Sequence, residues 1–198
     1  MKKTVRTSLF VLLVWLAGHS AHAAAPVWEL DMAHSGIHFG IQHIFSTVKG
    51  YFDDFKADIR FDPRNLDQSS FDFTVAVKSI NTNNTKRDNH LLSGDFFDAG
   101  KFETMRFKST SIKHQGGDQY TVMGTLTVKD VSRDISVPFT FFGTKPNPFN
   151  PKQLVAGFEA RMTIDRLAYG VGNGKFLEMG VVGKDAEVLI TVEATRDN

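Results

Sequence analysis

Alternation of apolar and polar residues with a period of two recurs in eight separate segments of this chain, and no other feature restricts its fold as strongly. Ile37, Phe39 and Ile41 alternate with His38, Gly40 and Gln42, and Phe55, Ala57, Ile59 and Phe61 with Lys56, Asp58 and Arg60. Phe71, Phe73, Val75 and Val77 form a third set, and Met105 and Phe107 a fourth. Tyr120, Val122, Gly124, Leu126 and Val128 form a fifth, and Ile135, Val137, Phe139 and Phe141 a sixth. Phe158, Ala160, Met162 and Ile164, then Ala186, Val188, Ile190 and Val192, complete the series. Successive side chains of a strand point to opposite faces, so each segment has one apolar face. Strands that keep one face in water pair antiparallel, whereas a parallel sheet covered by helices would give unbroken apolar runs. Eight such strands can pack as a sandwich or close into a barrel whose interior holds side chains or one small ligand, and closure removes the exposed edges a sandwich must protect.

Interruptions of the pattern are equally informative. Phe52 and Phe55 are out of phase, which predicts a bulge near Asp53-Asp54. Asp62-Pro63, Gly116-Gly117, Lys129-Asp130 and residues 145–151 read as turns. Residues 85–93 (TKRDNHLLS) break the alternation and predict a short helix, with Thr85 and Asp88 at capping-box spacing and Gly94 as its stop. Asp95 then caps a further turn through Phe96-Phe97. A helix midway through a meander is a candidate lid or end plug.

The first 23 residues read as an export leader. Lys2, Lys3 and Arg6 precede the apolar run Leu9–Leu16, and Ala21-His22-Ala23 supplies the small residues of a cleavage site. The run is too short for a membrane span, which needs about 20 residues. Residues 24–198 then form one domain, expected in the periplasm. Without the leader's three cations, 20 basic residues face 22 acidic ones, a net charge of −2. That near-neutrality argues against nucleic acid as a partner. The chain has no cysteine, which excludes disulfides, thiolate catalysis and Cys-type metal sites. It has 18 phenylalanines, only Phe10 of them in the leader. An aromatic core and a cavity lined for an apolar ligand explain that number about equally well.

Five blocks in register resemble the YceI-like family across residues 24–198. They are Trp28-Glu29-Leu30-Asp31 with His34-Ser35, Phe39, His43 and Gly50-Tyr51-Phe52; Ile80-Asn81-Thr82-Asn83 with Arg87-Asp88-Asn89-His90-Leu91 and Asp95-Phe96-Phe97; Phe107-Lys108-Ser109; Gly124-Thr125-Leu126-Thr127; and Gly157-Phe158-Glu159-Ala160. The chain departs from the family pattern at Phe102-Glu103 and Asp130. The resemblance implies a single eight-stranded antiparallel lipocalin-like barrel with one or two short helices and a long apolar cavity. It also implies a carrier of polyisoprenoids, isoprenoid quinones or related amphiphilic lipids.

Other chemistries fit less well. His34, His38, His43, His90 and His114 lack metal-ligand spacing. Asp31, His34 and Ser35 lack a strained nucleophile turn and an oxyanion hole, and read instead as a hydrogen-bonded cluster fixing the first strand. Gly170-Val171-Gly172-Asn173-Gly174 lacks the Lys-Ser/Thr ending of a phosphate loop and is expected as a loop at the barrel mouth. For Arg87 and Asp88, tying the helix to the wall and meeting a ligand head group stand about even.

The expected function is non-catalytic carriage of an isoprenoid lipid or quinone without a cofactor. The alternatives are an enzyme acting on a lipid or quinone, and a stress-response structural protein with a filled barrel. Phe39, Ile41, Phe52, Phe73, Val75, Leu91, Phe97, Phe107, Val122, Phe139 and Phe158 are expected to line the cavity, and Asn83, Arg87 and His90 to meet the polar end of the ligand. Transient membrane contact and a homodimer are both left open.

Overall fold

The computed structural model describes residues 24–198; the leader expected over residues 1–23 lies outside the described residues. Eleven strand segments form one antiparallel sheet: β1 (Val27–Leu30), β2 (Gly36–His43), β3 (Ser46–Phe52), β4 (Phe55–Arg60), β5 (Ser70–Ala76), β6 (Ile80–Asn81), β7 (Thr104–Gly116), β8 (Gln119–Val128), β9 (Val131–Asn147), β10 (Asn150–Asp165) and β11 (Val182–Asp197). The sheet closes because β1 pairs with β4 on one side and β11 on the other. The closed order is β1-β4-β5-β7-β8-β9-β10-β11.

The remaining segments continue three of those eight strands. Above β1, β2 pairs with β11 through Ile41↔Ala186 and Ile37↔Ile190; β3 pairs with β2, and β6 with β3. A 3-10 turn at Met32–His34 separates β1 from β2, and another at Val77–Ser79 separates β5 from β6. Between β3 and β4 the strand breaks at Asp53-Asp54, where the phase slip predicted it. The break is shared with the neighbouring strand: the Asp53 amide donates to Ser79 O at 3.1 Å and the Ala76 amide to Asp54 O at 3.0 Å. The eight alternating segments thus correspond to the eight barrel strands, and β9, β10 and β11 reach 16 to 17 residues.

One end of the barrel is closed by packing. Phe61, 1% exposed, is surrounded by the rings of Phe71, Tyr120, Phe139, Phe141 and Phe158, with centroids 4.9–6.0 Å away. These separations suit offset and edge-to-face contacts. Trp28 seals the same end, its indole donating to Phe61 O at 3.0 Å while Arg196 lies over its face at 5.0 Å.

The other end carries two short helices. Helix α1 (Thr85–Leu92) stands where it was expected, but its cap is Asn84, whose side chain accepts from the Arg87 amide at 3.0 Å. The Thr85–Asp88 capping box does not form, because Asp88 Oδ1 accepts from the Thr82 amide and hydroxyl instead. Asp95 likewise caps no turn; its carboxylate lies 3.0 Å from His90 Nε2. Just after the glycine-rich loop, residues 175–178 form a second helix, α2 (Lys175–Glu178), between Gly174 at φ +85° and Gly180 at φ +67°.

Candidate functional site

The apolar faces of the eight strands do not meet in the upper half of the barrel. They enclose a cavity of about 610 Å³, within the range of lipid- and ligand-binding pockets. Its floor is the upper surface of the aromatic plug, with Phe71, Val122, Phe139 and Phe158 all buried. Its walls are half-buried side chains such as Phe39, Phe73 and Phe107, which have neighbours on one side and open space on the other.

Two glycines decide how those walls are built. Gly50 pairs with Phe39 across β2 and β3, and a Cβ on Gly50 would lie 2.4 Å from Phe39 Cζ. A Cβ on Gly124 would lie 2.6 Å from Phe107 Cζ and 2.5 Å from Lys108 O. The tip of each ring therefore reaches over a neighbouring strand's glycine. That placement helps to keep the void open.

Polar groups gather at the mouth. Arg87 Nε donates to Thr82 Oγ1 and Nη2 to Thr82 O, both at 2.7 Å, while Thr82 donates its amide and hydroxyl to Asp88. Thr82 is 3% exposed, so this cluster satisfies buried groups and clamps α1 to β6. Arg87 thus ties the helix to the wall and also lines the cavity. His90 lines it too, edge-on to Phe96 and Phe176.

All eleven apolar residues singled out from the sequence line this cavity. Asn83 does not. It occupies a left-handed turn at φ +57°, exposed, with its amide donating to Asn81 Oδ1. His43 also reaches the lining, whereas His34 lies outside it.

Arg166, which sequence reasoning missed, is the most unusual lining residue. It is 7% exposed and donates Nε to Gly183 O at 2.8 Å, Nη1 to Val171 O at 2.7 Å and Nη2 to Val182 O at 3.4 Å. Its guanidinium also sits 5.9 Å from the Phe96 ring centre. Burial pulls its pKa below the usual arginine value, yet a guanidinium stays charged in proteins. Gly172, at φ +89°, makes room for it, since a Cβ there would meet Arg166 Nη1 at 2.3 Å.

On the outer wall, Asp31, His34 and Ser35 are positioned as a brace. Asp31 Oδ1 accepts from the Ala33 amide, Asp31 Oδ2 lies 2.8 Å from His34 Nδ1, and Ser35 Oγ donates to Glu193 O and accepts from the Glu193 amide. The Ser35 hydroxyl is committed to β11 and not to His34, so no nucleophile–base pair exists here. Asp31 holds the His34 imidazole above its usual pKa, and His34 holds the carboxyl below its own.

Comparison with known proteins agrees with this architecture. The chain is 31% identical over 197 residues to the protein YceI of Escherichia coli, covering 99% of each. It is 31% identical over 182 residues to a UPF0312 protein of Vibrio vulnificus, covering 90% of this chain and 94% of that one. Among solved structures it resembles Burkholderia cenocepacia BcnA with a TM-score of 0.77 and 25% identity, over 84% of this chain and 99% of that one. A polyisoprenoid binding domain from Saccharophagus degradans shares the fold, with a TM-score of 0.62 and 13% identity, over 84% and 97% of the two chains. The family profile described as the YceI-like domain matches residues 28–194, and the chain belongs to that family.

Proposed function

We propose that this protein is a periplasmic, non-catalytic carrier that solubilises an isoprenoid lipid or quinone. One observation carries the reading: a cavity of about 610 Å³ is apolar over most of its floor and wall, and its charged lining residues are four cations, Lys86, Arg87, Arg106 and Arg166, against one carboxylate, Glu159, with His43 and His90 beside them. That asymmetry matches an amphiphile with a long hydrocarbon tail and one polar end. The polyisoprenoid binding domain among its structural relatives supports the same ligand class, and the leader supports export.

An isoprene unit has five carbons, so at about 0.8 kcal/mol per buried CH₂ each contributes up to about 4 kcal/mol. Micromolar affinity needs about 8 kcal/mol net. Two or three buried units therefore offset much of the ordering cost, and the tail supplies affinity while the polar end sets preference. A filled barrel would have no such cavity.

Native mass spectrometry of protein purified without detergent, followed by organic extraction, tests the proposal directly. A co-purifying prenyl lipid is the expected result. Protein that is uniformly unliganded and also refuses added quinone defeats it. Arg87→Gln and His90→Gln then test the polar end, which predicts altered preference between quinone and polyprenol. Variants that lose stability but bind both as before make the cluster a structural clamp alone.

A further inference from the structure

Ile44 and Phe45 form the two-residue turn between β2 and β3. Such turns favour Gly, Asn or Asp, because they need positive φ. Here the positive φ, +49°, belongs to β-branched Ile44, an unfavourable backbone for that residue. Phe45 beside it is 98% exposed. A polar turn would satisfy the fold at lower cost, so both residues ask for a reason outside it.

The turn stands at the cavity mouth. The Ile44 amide donates to Val181 O at 3.0 Å, and Val182 pairs with His43, which seats the turn on the chain leaving α2. Helix α2 directs Phe176 into the cavity lining, stacked 5.8 Å from Phe96, and leaves Leu177 and Met179 in water. Four exposed apolar side chains, Ile44, Phe45, Leu177 and Met179, thus stand on segments that also line the cavity through His43, Phe176 and Val181. Two of the lining cations, Lys86 and Arg87, belong to α1 at the same end, and Lys175 begins α2; Glu178 is the acidic residue of that helix. Apolar tips beside cations suit a lipid surface, where tips enter the acyl region and cations meet phosphates.

We propose that this edge docks the protein, mouth first, on a lipid bilayer. The purpose assigned to docking rests on the carrier reading; the docking itself does not. The opposite end supplies the control, because Phe149 is 96% exposed at the β9–β10 turn, far from the mouth.

The test measures partition of ligand-stripped protein onto phosphatidylethanolamine–phosphatidylglycerol vesicles, with melting temperature, sedimentation mass and uptake of quinone and polyprenol from solution measured alongside. Phe45→Ser and Ile44→Asn should each lower partition about tenfold or more, the loss expected when one large apolar side chain no longer enters the bilayer. Ile44→Asn should also raise the melting temperature, since Asn accepts positive φ. Neither residue lines the cavity, so uptake from solution should be unchanged. Phe149→Ser should partition as the parent does. Wild-type protein that ignores vesicles, or equal losses from Phe45→Ser and Phe149→Ser, overturns the proposal. A dimer that Phe45→Ser dissociates also overturns it, by assigning the edge to a second copy. Partition that follows the expected pattern in a protein that takes up neither quinone nor polyprenol leaves docking standing and removes the carrier reading.

Discussion

Replacing Phe107 and Phe158 by alanine, one at a time, imposes the same chemical change at two heights in one barrel. Phe158 is 7% exposed, and its ring centre lies 5.2 Å from Phe141, 5.3 Å from Phe61 and 5.7 Å from Phe71. Truncation there opens a new hole in the plug and should cost about 3–5 kcal/mol. Phe107 is half-buried: its ring tip lies over Gly124 and the ring borders the cavity. Its truncation enlarges a void that already exists. Full burial of such a side chain contributes up to about 3 kcal/mol, so roughly half of that, about 1–2 kcal/mol, should be lost. The two variants should differ by about 2 kcal/mol, or about 4–8 °C in melting temperature for a domain of this size. The comparison needs stripped protein, because a ligand at a hundred times its Kd adds about 2.7 kcal/mol to both. Denaturant titration gives the stabilities, and competition between prenyl lipids of different bulk gives the preference, which Phe107→Ala should shift. Equal stability losses with unchanged preference would show Phe107 to be packed core and refute the hollow-barrel reasoning.

Gly50→Ala should cost about 1–3 kcal/mol and reduce lipid capacity, because its Cβ would push the Phe39 ring off the wall; thermal melts and lipid titration check both. Arg166→Met should cost about 2–4 kcal/mol by leaving the carbonyls of Val171 and Gly183 unpaired, seen as a lower denaturant midpoint at unchanged slope. The Asp31–His34 brace should stabilise within a pH window. The lowered Asp31 pKa gives stability that is complete above about 3.9 and lost as acid protonates the carboxyl, while the raised His34 pKa gives stability complete below about 6.5 and lost as pH rises through the shifted value. An NMR titration of His34 should therefore show a midpoint above the usual histidine value that Asp31→Asn brings down.

The eight strands were legible because period-two alternation is a property of each strand alone, and the break at Asp53-Asp54 was legible as a phase slip between Phe52 and Phe55. Features that depend on distant backbone were not. The helix cap went to Asn84 rather than Thr85 because buried Thr82 takes the Asp88 carboxylate. Asn83 left the site because it turns away at positive φ just before α1, while Arg87 and His90, inside the helix, line the cavity. Arg166 gave no signal, since its partners at Val171, Val182 and Gly183 converge only when the β10–β11 connection folds back. The hardest distinction was between a filled and a hollow barrel, because both give the same alternation and the same count of phenylalanines. That distinction is made by cross-strand placement: Phe39 lies over Gly50 and Phe107 over Gly124, whereas Phe61, Phe71, Phe139 and Phe158 crowd one another. Two glycines under aromatic ring tips therefore help to leave the upper half of the barrel open, and the ring-on-ring contacts close the lower half.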